Sequence, residues 1–243
     1  MSMAAVDQPT GTPTAADFRA RRKSSGLFTD AVSQRLGSYA CVVAYRLGLH
    51  PTVLTLANLV LGVSVVVLVG WLAPPAHAGL VSPLAMGFGA LALWHLAYAL
   101  DCADGQLARL TARASPAGAR VDILCDVATQ ISLVAAVATV NRVYNPATPD
   151  WLVAAFAGTW MVNLVTSVLQ QGSSAASLIT RDSTVVRLVK LIRDYGAVVT
   201  VIGLTLAFAP QWTVWLMVGF VAVNGGFLLA SIAAAARASL TGD

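Results

Sequence analysis

Apolar residues in this chain fall in long unbroken runs, without the alternation of a half-buried strand. Residues 51–100 contain no Asp, Glu, Lys or Arg, and neither do residues 195–236. A helix needs about 20 mostly apolar residues to cross a bilayer, so two such runs force several crossings. The pattern predicts six spans, at about 53–73, 79–100, 120–140, 151–172, 196–210 and 212–236. Pro74-Pro75, the Asn145-Pro146 and Thr148-Pro149 turns and Pro210-Gln211 supply breaks where no charge does, because proline removes a donor and crowds the preceding turn. Helices are expected over strands because the runs are long and do not alternate.

Ahead of the first run the pattern changes. Phe28, Val32, Leu36, Tyr39, Val43 and Leu47 recur every three or four positions, opposite Asp30, Ser33, Gln34 and Ser38. This predicts an amphipathic helix over about 27–48, either lying in the membrane interface or packed on the ends of the helical bundle. Residues 1–25, rich in Ala, Thr, Pro and charge, read as a flexible tail without the apolar core of a signal peptide. Residues 26–243 read as one membrane domain. The fold class is an all-α integral membrane protein, six transmembrane helices preceded by a cytoplasmic interfacial helix.

Composition agrees: the chain is 57% hydrophobic and only 11% charged, a membrane composition. Charge adds orientation. With six spans, of the 15 Lys and Arg residues only Arg142 falls on the side opposite the rest, so the positive-inside rule places both termini on the cytoplasmic face of the inner membrane. The basic balance therefore implies no nucleic acid. Cys41, Cys102 and Cys125 lie on or near that same side, with no His at metal-ligand spacing, which argues against both a disulfide and a zinc site. Trp71, Trp151, Trp160, Trp212 and Trp215 lie mainly towards the outer boundary, as an interfacial belt. His95 reads as a hydrogen-bonded core residue, and Asn58, Asn163 and Asn224 as bonds between helices.

Against this background one stretch stands out. All 11 acidic residues are Asp, and four of them lie between residues 101 and 126. Asp101 and Asp104 are i and i+3 at the end of the second span, with Gly105 and Ala108 each four residues after one of them. Gly118, Asp122 and Asp126 are spaced by four at the start of the third. On helices each set forms one face, and a turn at Ser115-Pro116-Ala117 brings the two faces together. Four carboxylates at the edge of a low-dielectric layer cannot all stay ionised without a positive partner. Two divalent cations match their charge, and an all-oxygen set points to Mg²⁺, Mn²⁺ or Ca²⁺. Arg109, Arg113 or Arg120 can fork onto a phosphate, so acids and arginine together suggest a phosphorylated substrate. A cation transporter using the same cluster is the rival, although a relay through the bilayer would spread its acids along the depth.

Asp101-Cys102-Ala103-Asp104-Gly105-Gln106-Leu107-Ala108-Arg109, eight residues, then Gly118-Ala119-Arg120-Val121-Asp122-Ile123-Leu124-Cys125-Asp126 resembles the signature of the CDP-alcohol phosphotransferase (CDP-alcohol phosphatidyltransferase) family at every position which that signature fixes. The resemblance implies that an acceptor hydroxyl attacks a CDP-alcohol, typically CDP-diacylglycerol, at the phosphorus next to its alcohol moiety, with release of CMP. It implies that Asp101, Asp104, Asp122 and Asp126 hold two Mg²⁺ or Mn²⁺ ions and that Asp126 is the general base. Gly105, Ala108 and Gly118 make room for the cytidine, and Arg109 holds the phosphates. His50-Pro51-Thr52-Val53-Leu54-Thr55 resembles, more weakly, the Pro-Asn-x-x-Thr of many members, which adds Thr55 as a nucleotide contact. Members are generally homodimers.

Arg181, Arg187, Lys190 and Arg193, between the fourth and fifth spans, are candidates to hold an acceptor phosphate, although basic loops on this face also set topology. Members that act on inositol phosphate or glycerol phosphate usually carry a Tyr-x-Lys-Ala-Arg run after the fourth span. The residues here, Ser167 to Ala176, lack it, which leaves open an unphosphorylated alcohol acceptor or a soluble donor such as CDP-inositol.

Overall fold

A computed structural model describes residues 11–22, 26–172 and 194–241. Among them every regular element is helical: α1 (Ala15–Ala20), α2 (Leu27–Ala31), α3 (Ser33–Arg46), α4 (Pro51–His77), α5 (Pro83–Leu110), α6 (Pro116–Tyr144), α7 (Asp150–Gly172), α8 (Tyr195–Phe208) and α9 (Thr213–Thr241), with a 3₁₀ turn at Pro210–Trp212 before α9. Among the described residues four segments are long and apolar enough to cross a membrane: α4, α5, α6 and Pro210–Ala230. The protein is thus an integral membrane protein. Asp150–Val162 of α7 and the whole of α8 are shorter apolar stretches.

Helix ends differ from the sequence reading where local backbone chemistry outweighs hydropathy. Pro74 and Pro75 do not end α4, which continues to His77. Only two donors are lost there, close to the helix end. The chain reverses instead at Gly79, whose φ of +74° suits a left-handed cap, with Leu80 N–H donating to the Pro75 carbonyl at 2.9 Å. The second helix behaves as the spacing of its acids requires: α5 carries Asp101, Asp104 and Arg109 on its last turns. The turn expected at residues 115–117 falls earlier. Pro116 opens α6, where a missing N–H costs nothing, and the Ser115 hydroxyl caps the helix by accepting from Gly118 N–H at 3.0 Å.

The contacts divide into two units. The first comprises residues 1–65, 91–129 and 188–200 and includes every acid of the motif. Its core joins Phe18, Cys41, Ala44, Leu54, Ala103, Leu107 and Leu110. The α3 helix meets α5 closely at Gly37, where a Cβ would stand 2.8 Å from the Ala99 carbonyl oxygen. Beside it, the buried Gln106 amide donates to the Gln34 backbone and side-chain oxygens at 3.0 and 2.7 Å. The amphipathic segment therefore turns its small and polar face, Ser33, Gln34, Gly37 and Ser38, into the protein. Leu36, Tyr39, Val43 and Leu47 are exposed. It is also broken at Val32 into α2 and α3, where one continuous helix was expected.

Part of the expected flexible tail is ordered too. Residues 15–20 form α1, which packs against α3 with Phe18 fully buried. A lone aromatic in a polar stretch carries no periodicity, so this docking left no pattern to read.

The second unit comprises residues 66–90, 130–187 and 201–243. In it α7 packs on α9 around Phe156, Trp160 and Phe220, with Trp160 stacked on Phe220 at 4.6 Å. Trp160, expected in the outer belt, is 3% exposed and donates its indole N–H to Gln130 Oε1 at 3.0 Å. It is a core residue because its polar edge finds a partner inside. Trp71, Trp151, Trp212 and Trp215 are exposed.

Candidate metal and nucleotide site

Three helices of the first unit bring the candidate residues together. α5 supplies Asp101, Asp104, Gly105, Ala108 and Arg109, α6 supplies Gly118, Asp122 and Asp126, and α4 supplies Thr55 and Asn58. Ligand oxygens of Asp101, Asp122 and Asp126 all lie within 4.8 Å of one another. Such a cluster of hard anionic oxygens, without His or Cys, fits a divalent cation of the Mg²⁺ or Mn²⁺ kind. The helical spacing explains the convergence: residues four apart on α6 and three apart on α5 present their carboxylates along one face of each helix.

Asp104 is held differently. It is buried and its Oδ2 accepts from the Thr55 hydroxyl at 2.5 Å. That places Thr55 on an acid of the motif, a contact that the nucleotide role does not foreshadow. A bond of the same hydroxyl to its own helix is also present but long, at 3.4 Å to the Pro51 carbonyl. One turn on, Asn58 Nδ2 donates to Asp101 Oδ1 at 3.0 Å. Asn58 is thus more than a bond between helices in general: it is aimed at a specific acid. Its signal in the sequence was its position three residues after Thr55, on the same face of α4.

Around the acids the small residues have separate reasons. A Cβ on Gly105 would stand 2.9 Å from Arg109 Nη1 and 3.2 Å from Nη2, so glycine lets the guanidinium lie back over the helix. A Cβ on Gly118 would meet the capping Ser115 Oγ at 3.2 Å. Arg109 Nε donates to the carbonyl of Arg21 at 2.5 Å, a contact the sequence did not foreshadow. Arg181, Arg187, Lys190 and Arg193 lie outside the described residues.

A second polar cluster of the same unit ties α2 to the start of α8. The buried Asp194 accepts at one oxygen from the N–H groups of Phe28 and Thr29, at 2.9 and 3.0 Å. At the other it accepts from the Thr29 hydroxyl at 2.5 Å and Gly196 N–H at 3.1 Å. One aspartate thus caps two helices. Thr29 also bonds Tyr98, whose ring packs edge-on against Tyr195 at 4.8 Å. His95 bonds Thr200 at 2.9 Å, a structural partner as expected. Asn224 bonds the Phe220 carbonyl of its own helix, not a neighbouring one.

A search of curated proteins finds no match for the chain. The family model of CDP-alcohol phosphatidyltransferase matches residues 48–224, a span that contains all four acids, Asn58 and Thr55. With the motif complete and three of its carboxylates converging as a cation site requires, this chain belongs to the CDP-alcohol phosphatidyltransferase family.

Proposed function

We propose that this protein transfers a phosphatidyl group from CDP-diacylglycerol to an alcohol acceptor at the cytoplasmic face of the membrane, with release of CMP. The observation that carries the reading is the convergence of Asp101, Asp122 and Asp126 within 4.8 Å in a chain of this family. Asp101, Asp104, Asp122 and Asp126 would hold two divalent cations, Mg²⁺ or Mn²⁺. When bound, these supply the positive charge that offsets the acids and the donor's pyrophosphate and stabilises the departing CMP.

The chain's own residues do the rest. Asn58 and Thr55 hydrogen-bond Asp101 and Asp104 and fix their orientation, the role that outer partners play for ligating carboxylates. Arg109 binds the donor phosphates, while Gly105, Ala108 and Gly118 leave room for the cytidine. Asp126 takes the proton from the acceptor hydroxyl. The freed oxygen forms a bond to the phosphorus that bears the donor's alcohol, the bond from that phosphorus to the CMP oxygen breaks, and CMP leaves with its electron pair.

A six-span arrangement, in which α7 and α8 add to the four apolar crossings, would put the acids and both termini on the cytoplasmic side, as the basic residues favour. The exposed apolar stripe of α3 supports an interfacial position for that helix. We expect a homodimer, as the family resemblance implies.

The test is CMP release by the purified protein from CDP-diacylglycerol with Mg²⁺ or Mn²⁺, across inositol phosphate, glycerol phosphate, serine, inositol and no acceptor. Release with one acceptor, abolished by a chelator, is the expected result and names the product. Binding of cytidine nucleotide without release from this donor would move the reading to a soluble CDP-polyol such as CDP-inositol. No metal-dependent binding of cytidine nucleotide would overturn the transferase reading.

A further inference from the structure

The motif arginine is held by a part of the chain outside the region that matches the family. The match begins at residue 48, yet Arg109 Nε donates to the carbonyl of Arg21, directly after α1. That carbonyl is anchored. Phe18 is fully buried against Cys41, Ala44, Leu54, Ala103, Leu107 and Leu110, and two of these, Leu107 and Leu110, flank Arg109 on α5. The start of α1 is closed as well, since the Thr14 N–H and hydroxyl both donate to Asp17 Oδ2 at 2.7 Å.

A guanidinium offers its five N–H donors in a rigid fork, with paired donors along its Nε edge and at its Nη end. With Nε donating to the Arg21 carbonyl, the Nε edge is occupied and the Nη end remains for a ligand. Nη1 and Nη2 are the atoms that lie over Gly105, next in sequence to Asp104. We propose that α1 is a positioning element of the nucleotide site: the Arg21 carbonyl, anchored through Phe18, orients Arg109 so that Nη1 and Nη2 meet the phosphates of the CDP-alcohol. This deepens the transferase reading and rests on the phosphate role of Arg109 within it. A backbone acceptor suits the task, because it turns the guanidinium without adding a negative charge that would compete with the phosphates.

The test measures CMP binding in the presence of Mg²⁺, and KM and kcat for the CDP-alcohol, in the full chain. The variants are Phe18→Ala, Phe18→Leu, Arg109→Ala and the double variant Phe18→Ala/Arg109→Ala. Phe18→Ala should weaken CMP binding about tenfold, the scale of one hydrogen bond to a charged group, and raise KM more than it lowers kcat. Phe18→Leu should restore binding, and Phe18→Ala should have no further effect once Arg109 is Ala. Should Phe18→Ala prevent folding, deletion of residues 1–22 removes the carbonyl itself and enters the same comparison. Unchanged binding in Phe18→Ala, or an equal loss with and without Arg109, overturns the proposal. Unchanged binding in Arg109→Ala shows that the fault lies in the phosphate role of Arg109, and the positioning role falls with it.

Discussion

At the scale of single residues, the four acids are not equivalent, and their surroundings predict different losses. Asp126 has neither the Thr55 nor the Asn58 donor that Asp104 and Asp101 have, which suits an acid that must accept a proton. Asp126→Asn keeps the shape and loses the base. CDP-alcohol should still bind while kcat falls by about 10²–10⁴, the usual contribution of a general base; unchanged turnover would remove Asp126 from that role. Thr55→Val and Asn58→Leu act one step out. Each leaves a motif acid without its donor, so the metal concentration for half-maximal activity should rise by about 10–100-fold, as a metal titration of activity would show. The acids were legible in the sequence because a helix repeats their spacing on one face. The partners were not, since which face of α4 meets α5 depends on the rotation of one helix against another, and only the offset of three between Thr55 and Asn58 hinted at it.

At the scale of elements, three turns close with the same device, in which the N–H of one residue reaches back five positions. Leu49 bonds Ala44, Leu80 bonds Pro75 and Arg113 bonds Ala108, each at 2.9 Å, with Gly48, Gly79 and Ala112 at the left-handed position, at φ of +66°, +74° and +54°. A Cβ on Gly48 would meet nothing within 4 Å, so Gly48→Ala should cost only the left-handed penalty, about 1 kcal/mol, seen as a lowered melting temperature in detergent. Gly37→Val is a different case, because its side chain would press on the Ala99 carbonyl and Cys102. The α3 helix must then shift away from α5, at about 1–3 kcal/mol, and the loss should exceed that of Gly48→Ala in the same assay. Helix type was legible from the long apolar runs, but helix ends were not: α4 runs through Pro74-Pro75, and α6 opens at Pro116, inside the expected turn. Backbone pairing and caps decide where a helix stops, and hydropathy is blind to both. The face that α3 turns inward was hidden for a related reason. Its apolar stripe suggested burial in protein or lipid, and the structure buries the polar face, because Gln34 finds Gln106.

At the scale of the whole molecule, the distribution of charge ought to decide which ends of the helices share a side. In the six-span arrangement only Arg142 stands apart from the other basic residues, and it lies in the last turn of α6. If α4, α5 and α6 cross in succession, the α5–α6 turn lies opposite both the α4–α5 and the α6–α7 turns, and it lies on the side of the acids. The three native cysteines are buried, so introduced thiols should report with little background. In sealed right-side-out vesicles, Ala78→Cys and Ala147→Cys should react with a membrane-impermeant thiol reagent, and Ala114→Cys only after permeabilisation. Ser183→Cys, in the stretch between α7 and α8, separates the six-span from the four-span arrangement. Protection until permeabilisation means that α7 and α8 both cross; labelling from outside means that neither does, and the basic residues Arg181, Arg187, Lys190 and Arg193 would then face away from the acids and be lost as acceptor contacts. Protection is the expected outcome, because four cations on the outer side would run against the charge bias of every other turn.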